Sequence, residues 1–432
     1  MHRAVDEGRT LLVSGSASVT LLKGKAKAIG ATLLPKKKVV IKRGKTVPFE
    51  AAANSVFEVV TGVGGSVEEV DGSTIPEAWK KTVEQISASP RPCRVMVLGE
   101  VDCGKTTFSI FLANNLASKS KIAVIDADPG QSDIGSPATI GLGLVTKPIT
   151  DLFSAETVRI GFIGSTSPSG VESRVLKELA ELNMRASEMA VDYVIINTDG
   201  WVQGDDARNY KITMMELVSP DIVIGIQHSD ELEHVLTAAE EKGFRTYTLP
   251  SSTAVKKRSK EERKRLREQG YRKFLKNTIL RPLPMSWVRL ENTFLDTERT
   301  SMERLEELEA LLGHKILHVK EKTDTLIIVL KKADRFEGEM AKIPTELFGK
   351  KVRIIGEGDE GGLLVGLLDG GGEFLGLGAI QEIDYENRVL KLLTPYAGKV
   401  DVVRFSQVKV DSRGGEVGLT TAFSEGLCGQ EP

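Results

Sequence analysis

One stretch of eight residues constrains the fold more than any other part of this sequence. Residues 99–106, GEVDCGKT, match the spacing G-x-x-x-x-G-K-[ST] and follow directly on the apolar run RVMVL. A segment of helical character, FSIFLANNLA, comes soon after them. This strand–loop–helix order is the context that a phosphate-binding loop requires, and an accidental glycine-rich turn would not need it. The sequence therefore predicts an α/β domain with a nucleotide phosphate site at the end of one strand.

The loop also predicts individual phosphate contacts. Its backbone N–H groups and the start of the following helix favour negative charge. Lys105 is expected to reach the β- and γ-phosphates, and the Thr106 hydroxyl is expected to ligate Mg²⁺. The predicted nucleotide-binding residues are Gly99, Glu100, Val101, Asp102, Cys103, Gly104, Lys105, Thr106 and Thr107.

The pattern of the chain changes twice along its length. Residues 1–75 alternate short β-branched runs with Gly, Pro and Lys, which predicts a small β-rich domain. Residues 76–284 begin with a helix at about 76–87 and then alternate apolar runs with helix-length segments, which predicts a doubly wound, mostly parallel sheet. Residues 285–432 return to the β pattern, with one helical segment, TSMERLEELEALLG, and a frayed tail after about Gly414. The predicted fold is a central α/β P-loop domain flanked by N-terminal and C-terminal β-rich domains.

Composition excludes several classes of protein. The 432 residues carry a formal net charge of −2, so the chain is not basic throughout, although a local basic groove is compatible with that balance. Its three cysteines (Cys93, Cys103 and Cys428) are far apart, which argues against a disulfide scaffold or a zinc site. Neither a leader-like start nor an apolar stretch of about 20 residues is apparent, so we expect a soluble, cytoplasmic protein without a membrane partner.

Two acids follow the apolar run KIAVI, namely Asp126 and Asp128. Ligands of doubly wound sheets bind beyond the carboxyl ends of the strands, so these acids should face the phosphate loop. One carboxylate can support Mg²⁺ while the other accepts a proton from an attacking hydroxyl. A solvated turn is the alternative, and the presence of two acids favours the functional interpretation.

The segment that would read guanine in a GTPase departs from the expected Asn-Lys-x-Asp. After the run DIVIGI the chain has Gln227-His228-Ser229-Asp230, without the lysine and with Gln in place of Asn. This departure favours ATP over GTP.

Two further segments bear on the acceptor of the phosphate. Residues 198–201, TDGW, end an apolar run. A base that stacks on a tryptophan ring contributes ~1–3 kcal/mol of binding free energy, so Trp201 is a candidate contact of the acceptor. Packing of Trp201 in the core is an equally good interpretation from residue type alone. Residues 255–267, VKKRSKEERKRLR, fit a solvated helix and an arginine-bearing lid over ATP equally well.

Taken together, these motifs resemble one family, the polynucleotide 5′-hydroxyl kinases. That family includes the RNA kinase subunit of the pre-mRNA cleavage factor, the nucleolar kinase of rRNA processing and archaeal relatives. The resemblance rests on GEVDCGKTT, DADPGQ, TDGW and VKKRSKEER, and covers most of the chain. It implies transfer of the γ-phosphate of ATP, with Mg²⁺, to the 5′-hydroxyl ends of single-stranded RNA or DNA, and protein partners in RNA processing.

The resemblance also implies roles for particular residues. Asp128 would be the general base, and Asp126 would support the metal together with Thr106. Residues 164–168, GSTSP, resemble a family segment beside the acceptor. Lys105, Asp128, Arg258 and Arg263 would be catalytic, and Gln131, Thr198 and Trp201 would bind the substrate.

Two other functions stay open from the sequence. An ATP-binding scaffold subunit of an RNA-processing complex would keep the phosphate loop with little turnover. A small-molecule kinase would use the same loop but would need neither Trp201 nor the flanking β domains.

Overall fold

The computed structural model describes residues 1–295, 301–332, 344–420 and 422–423. Within these residues the chain forms two compact units, the first ending at Arg267 and the second beginning at Glu268. The three-domain division with boundaries near residues 75 and 284 stays a proposal. None of the helices in the described ranges is both long and apolar enough to cross a membrane.

The N-terminal part of the first unit consists of strands in two antiparallel sheets, which confirms the expected β structure. The strands are β1 His2–Val5, β2 Arg9–Ser14, β3 Ala17–Lys23, β4 Ala26–Ala28, β5 Ala31–Thr32, β6 Lys38–Ile41, β7 Thr46–Ala51, β8 Ser55–Thr61 and β9 Ser66–Asp71. The two sheets have the orders β1-β8-β3-β6 and β5-β4-β7-β2-β9. Side chains alternate between the two faces of a strand, and residues such as Val13, Phe49 and Phe57 are fully buried on the inner faces.

The predicted helix at residues 76–87 is present as α1, Glu77–Ser87. Its Trp79 side chain is fully buried and packs edge-on against the Phe108 ring, with 5.2 Å between ring centroids. The indole Nε1–H donates to the carbonyl oxygen of Pro250 at 2.8 Å. This helix therefore packs on the α/β domain rather than standing as a free linker.

The α/β domain alternates strands and helices as predicted. Its elements are β10 Cys93–Gly99, α2 Lys105–Leu116, β11 Ile122–Ala127, β12 Thr139–Val145, a 3₁₀ turn Leu152–Ser154, β13 Glu156–Phe162, α3 Glu172–Glu188, β14 Tyr193–Thr198, α4 Gly204–Val218, β15 Ile222–Gln227, α5 Glu233–Glu241, β16 Thr246–Pro250 and α6 Lys260–Phe274. The sheet order is β13-β12-β11-β14-β10-β15-β16. Strand β12 pairs antiparallel with both β11 and β13, and all the other neighbouring pairs are parallel.

Burial on both faces explains the continuous apolar runs of the parallel strands. In β10, Val95 and Val97 join a core that includes residues of α1 and α2, whereas Met96 and Leu98 join a core that includes residues of α3, α4 and α5. A strand covered on both faces has no polar side, so its sequence shows no alternation. The doubly wound, mostly parallel sheet is thus confirmed.

Strand β12 was not predicted, and its glycines explain why. A Cβ atom on Gly141 would lie 2.7 Å from the Ile134 side chain, and one on Gly143 would lie 3.0 Å from the Ala155 side chain. Close approach of neighbouring groups therefore requires glycine at both positions. Glycine weakens the strand signal of a sequence, because it has low β-propensity and offers no side chain to pack.

The second unit is mostly β structure, as expected. Its elements are β17 Ile279–Pro284, a 3₁₀ turn Met285–Trp287, β18 Arg289–Glu291, α7 Met302–Leu312, β19 Ile316–Glu321, β20 Thr325–Leu330, β21 Glu346–Leu347, β22 Lys350–Gly356, β23 Leu363–Leu368, β24 Phe374–Asp384, β25 Val389–Thr394, β26 Val402–Val410 and β27 Glu416–Leu419. One sheet has the order β17-β25-β24-β23-β26-β18 with β27 beside β26, and the other has the order β19-β20-β22-β21. The predicted helical segment is α7.

The expectation of a frayed tail after Gly414 is wrong for the residues that the structure describes. Strand β27 pairs antiparallel with β26, joining Val408 to Leu419. Phe423 is fully buried and stacks on Phe294 with 5.6 Å between ring centroids. The strand is short and follows β26 after a turn at residues 411–415, so it forms a local hairpin that its few residues did not signal. Residue 421 and residues 424–432 of the predicted tail lie outside the described residues.

Candidate active site

Three neighbouring parallel strands bring the predicted site residues together. Strand β14 lies between β10 and β11, and the register places Val97 of β10 and Asp126 of β11 opposite Asn197. The phosphate loop (residues 99–106) continues β10, the two acids lie at and beyond the end of β11, and the clasp segment (residues 198–201) continues β14. All three therefore meet at the carboxyl edge of the sheet, where doubly wound folds bind ligands.

The glycines of the phosphate loop are required by its backbone. Gly104 has φ of 107°, in the left-handed region that side chains disfavour. A Cβ atom on Gly99 would lie 2.6 Å from the carbonyl oxygen of Ile226. Helix α2 begins at the next residue, Lys105, so its first N–H groups, which have no partner within the helix, lie at the loop. This arrangement can bind the phosphates of a nucleotide.

Lys105 lies inside the loop. Its side chain is buried, and Nζ donates to the carbonyl oxygens of Gly99 at 2.9 Å and Glu100 at 2.6 Å. The loop carbonyls thus satisfy a cation that would otherwise be costly to bury. An anion within reach of the loop would compete with these carbonyls for the ammonium group.

Asp126, Asn197 and Thr106 form one polar cluster at the ends of β11, β14 and the phosphate loop. Asn197 Nδ2 donates to Asp126 Oδ1 at 2.9 Å and to Thr106 Oγ1 at 3.3 Å. The other Asp126 oxygen accepts the N–H of Asp133 at 2.7 Å. Burial, and then the charge of Asp133, raises the pKa of Asp126 to about 7. A buried carboxylate in this position favours a nearby cation.

Asp128 lies beyond the end of β11 and is partly exposed. Its Oδ1 accepts the backbone N–H groups of Gly130 at 2.9 Å and Gln131 at 3.1 Å, which fixes the turn. Burial, and then the charge of Asp199, raises the pKa of Asp128, while the charge of Lys105 lowers it. Asp128 is therefore coupled electrostatically to the phosphate loop on one side and to the clasp segment on the other.

The segment at residues 164–168 lies beside the same turn, and its expected contact with the acceptor stays a prediction. A Cβ atom on Gly130 would lie 2.6 Å from the carbonyl oxygen of Thr166. Ser165 is buried, and its hydroxyl accepts the N–H of Ser167 at 3.2 Å. The side chain of Gln131 is partly exposed in this turn.

The two residues predicted in the clasp segment, Thr198 and Trp201, differ in burial. Thr198 is fully buried and its hydroxyl donates to the carbonyl oxygen of Val97 at 2.8 Å, so it holds β14 against β10. Trp201 is partly exposed and lies 5.5 Å from the Tyr210 ring, with an interplanar angle of 32°. A Cβ atom on Gly200 would lie 2.6 Å from the N atom of Val101, so this segment contacts the phosphate loop directly.

The sequence analysis missed a buried network that supports the clasp segment. Lys211 Nζ lies 2.7 Å from Asp199 Oδ2, and the Tyr210 hydroxyl donates to the same oxygen at 3.3 Å. Burial lowers the pKa of Lys211, although the charge of Asp199 opposes this. A signal was present, because Lys211 falls in helical register with Ala207 and Met214 on the apolar face of α4.

A second missed residue, Lys45, lies in the loop between β6 and β7. Its Nζ lies 2.5 Å from Asp133 Oδ2, and the N–H of Asp133 binds Asp126. The charges of Asp133 and Asp151 raise the pKa of Lys45 despite its burial. No local pattern could have indicated this contact, which joins residues 88 positions apart.

The two predicted lid arginines meet the phosphate loop at a single carboxylate. The N–H and Nε–H of Arg258 donate to Asp102 at 2.9 and 2.8 Å, and its Nη2 donates to the same carboxylate. Arg263 Nη1 lies 3.5 Å from Asp102 Oδ2 and donates to the Arg258 carbonyl oxygen at 2.7 Å. The basic run is therefore more than a solvated helix, because its Arg258 and Arg263 face the site while Lys256, Lys257 and Lys260 are exposed.

Comparison with known proteins gives the same family by two routes. The model of the family described as "mRNA cleavage and polyadenylation factor CLP1 P-loop" matches residues 99–277. A polyribonucleotide 5′-hydroxyl-kinase of Pyrococcus furiosus is 32% identical over 352 residues, which cover 80% of this chain and 95% of that protein. One from Methanocaldococcus jannaschii is 30% identical over 351 residues, covering 80% and 94%.

A solved structure shares the fold over nearly the whole chain. The wild-type Clp1p of a Clp1p–Pcf11p complex superimposes with a TM-score of 0.64 at 12% identity, covering 95% of this chain and 97% of that one. At this identity the likeness concerns the fold alone. The sequence matches decide the family, and the chain belongs, as an archaeal-type member, to the polyribonucleotide 5′-hydroxyl-kinases with a CLP1-type P-loop domain.

Proposed function

We propose that this chain transfers the γ-phosphate of ATP to the 5′-hydroxyl end of a polynucleotide, with RNA as the acceptor in RNA processing. The names of its archaeal relatives support the activity and the acceptor class. The observation that carries the proposal is the position of Asp128. It lies just beyond the end of β11, whose neighbour β14 leads into the clasp segment, and the phosphate loop follows β10 on the other side of β14. This position supports a base between the phosphate donor and the acceptor.

The reaction asks for positioning and charge neutralisation more than for covalent chemistry. The 5′-oxygen attacks the γ-phosphorus, a new P–O bond forms, and the bond from the γ-phosphorus to the bridging oxygen breaks to release ADP. Asp128 accepts the proton of the hydroxyl. Lys105 and the loop N–H groups bind the phosphates, while Arg258 and Arg263 neutralise charge on the group in transfer.

The residues present fit a Mg²⁺ ion. Asp126 is a buried carboxylate, and its burial and the nearby charge of Asp133 raise its pKa. Asn197 Oδ1 is buried, and no described residue donates a hydrogen bond to it. Thr106 Oγ1 and Asp126 would hold the ion, with Asn197 supporting them. When bound, Mg²⁺ would neutralise charge on the phosphate oxygens.

The clasp segment supports a polynucleotide as the substrate. The partly exposed ring of Trp201 is held from below by the buried Tyr210 ring, so its outer face can receive a base. Stacking does not depend on base identity, which suits an enzyme that acts on many different ends. Gln131, in the turn beside Asp128, is proposed to contact the acceptor. For Thr198 we propose an indirect role, through the β10–β14 contact.

The alternative acceptor, the cellular location and the protein partners of this chain are also part of the proposal. DNA ends, a cytoplasmic location and a protein partner stay predictions for this chain. The Clp1p relative was solved in complex with Pcf11p, and we propose by analogy that this chain also works with a protein partner in RNA processing. The N-terminal sheets are proposed to cover the adenine.

The experiment uses ATP labelled at the γ-phosphate, Mg²⁺ and a short oligoribonucleotide with a 5′-hydroxyl end. Label should enter this oligomer and should not enter the same oligomer already phosphorylated at its 5′ end. A matched oligodeoxyribonucleotide measures the preference for RNA, and Lys105→Ala measures background. ATP binding without transfer of label would contradict the kinase and would favour the scaffold subunit. Transfer to free nucleosides as efficient as to oligomers would favour a small-molecule kinase.

A further inference from the structure

Asp102 is an unexpected residue in a loop that binds phosphate. It occupies the third variable position of the loop, with φ of 58°, and its side chain is only 3% exposed. A non-glycine residue at positive φ is uncommon and carries a backbone cost. A buried carboxylate in this place also repels the phosphates that the loop binds. Aspartate is one of the non-glycine residues that tolerate positive φ, but this tolerance does not account for a buried negative charge beside a phosphate site.

The partners of Asp102 supply an explanation. Arg258 uses its main-chain N–H as well as its guanidinium group, so the carboxylate holds the backbone of the lid and not only a flexible side chain. Charge-assisted bonds of this kind are roughly twice as strong as neutral ones. The Arg258 bonds engage Nε and Nη2 and do not involve Nη1. That nitrogen can face a ligand while the arginine stays attached to Asp102.

The start of helix α6 aligns the second arginine with the first. Ser259 Oγ accepts the N–H of Glu262 at 3.1 Å, and the Glu262 carboxylate accepts the N–H of Ser259 at 2.9 Å. This reciprocal pair is a capping box, and it fixes the direction in which the chain enters the helix. Arg258 immediately precedes the cap, and Arg263 lies in the first turns beyond it. Residues at these two positions commonly pack together as a hydrophobic staple, and here two arginines converge on one aspartate instead.

We propose that Asp102 is a positioning residue that docks the lid on the phosphate loop and orients Arg258 and Arg263 for phosphoryl transfer. This inference rests on the proposed function for its catalytic consequence. Asp102 offsets the mutual repulsion of the two guanidinium groups and orients them before the phosphate arrives. Orienting them in advance removes an entropic cost from the reaction step itself.

The test compares Asp102→Asn with the matched variant Asp192→Asn. Asp192 also accepts a backbone N–H, that of Lys121 at 2.8 Å, and lies 3.8 Å from an arginine, Arg91, but at the amino end of β14. Hydrogen exchange of residues 255–265 is measured on the full chain. Asp102→Asn should speed exchange at Arg258, whose N–H loses its carboxylate acceptor, and Asp192→Asn should not. Unchanged exchange at Arg258 in Asp102→Asn would overturn the docking role, whether or not the chain is a kinase.

Kinetics then tests the positioning role. Asp102→Asn should lower kcat by about tenfold or more, with a smaller change in KM for ATP. In an Arg258→Ala background the same substitution should cost much less, because the two residues act through one contact. A rise in kcat would overturn the proposal, since it would mean that Asp102 holds the arginines away from the phosphate. Full additivity with Arg258→Ala would do the same.

A second variant covers the case in which Asp102→Asn does not fold. Arg258→Ala leaves the phosphate loop unchanged and removes the guanidinium partner of Asp102. It should speed exchange across residues 259–263, and no change there would overturn the docking role. A wild-type chain without transfer activity contradicts the proposed function, while the exchange results still decide the docking.

Discussion

Lys211 and Asp199 form an ion pair that is closed to solvent. Lys211 Nζ lies 2.7 Å from Asp199 Oδ2, and the two side chains are 0% and 3% exposed. The other carboxylate oxygen of Asp199 accepts the N–H of Trp201 at 2.9 Å. A cation on helix α4 thereby fixes the backbone from which the Trp201 ring projects.

Replacing Lys211 by Met should destabilise the protein strongly. The substitution keeps the length of the side chain but leaves the Asp199 carboxylate buried without its cation, at a cost of ~3–5 kcal/mol. Urea unfolding measures the change. Lys242→Met is the control, because Lys242 lies 2.6 Å from Glu216 in a pair whose side chains are 54% and 48% exposed. That variant should stay within about 1 kcal/mol of wild type, and equal losses in the two variants would contradict a supporting role for Lys211.

Asp128→Asn should keep ATP binding and lose most turnover. The amide preserves the shape but cannot accept the proton, and loss of a general base costs ~10²–10⁴-fold in rate. Single-turnover transfer and nucleotide affinity are measured on the same preparation. Asp126→Asn should instead change the dependence of the rate on Mg²⁺ concentration. If Asp126→Asn is inactive at saturating Mg²⁺ while Asp128→Asn is mildly affected, the roles of the two acids are reversed.

Arg258→Ala and Arg263→Ala should each lower the rate of transfer more than the affinity for ATP. The guanidinium groups are expected to engage charge that develops on the group in transfer, and such interactions act on kcat. Lys257→Ala is the matched control, since Lys257 is exposed beside Arg258. Steady-state kinetics with separate binding measurements distinguishes the two effects. Equal losses of ATP affinity and transfer rate would indicate that the arginines only bind the nucleotide.

Trp201→Ala should weaken use of the oligonucleotide and leave ATP affinity nearly unchanged. Loss of base stacking should lower kcat/KM for the oligomer by the equivalent of ~1–3 kcal/mol. Trp201→Phe should recover part of that loss, because a smaller aromatic face still stacks. Trp287→Ala, at an exposed tryptophan of the second unit, is the control.

A core role for Trp201 predicts a different result. The ring packs partly against the apolar core beside α4, so a cavity would lower the melting temperature and weaken all ligands alike. Melting, ATP affinity and oligonucleotide kinetics measured together distinguish the two roles. A destabilised variant with unaltered oligonucleotide kinetics would remove base stacking from the proposed function.

The local features of the site could be predicted from the sequence, because each depends on a short stretch of chain. The phosphate loop needs glycine at position 104 for its own backbone, and a strand and a helix must flank it. The acids at 126 and 128 follow an apolar strand whose carboxyl end must face the loop. Continuous apolar runs in the sequence indicated that the parallel strands are buried on both faces. These requirements are local, so they do not depend on which segments meet later.

What depended on the tertiary structure is the set of contacts between segments that are distant along the chain. Lys45 meets Asp133 across 88 positions, and Arg258 meets Asp102 across 156 positions. Their neighbours in sequence carry no sign of these pairings, because strand order and lid position decide them. Phe423 likewise stacks on Phe294, which lies more than a hundred positions away. The sequence by itself determined the chemistry at each strand end, and the packing of the first unit decided which charges face one another, since a buried charge is tolerated only where its partner is brought to it.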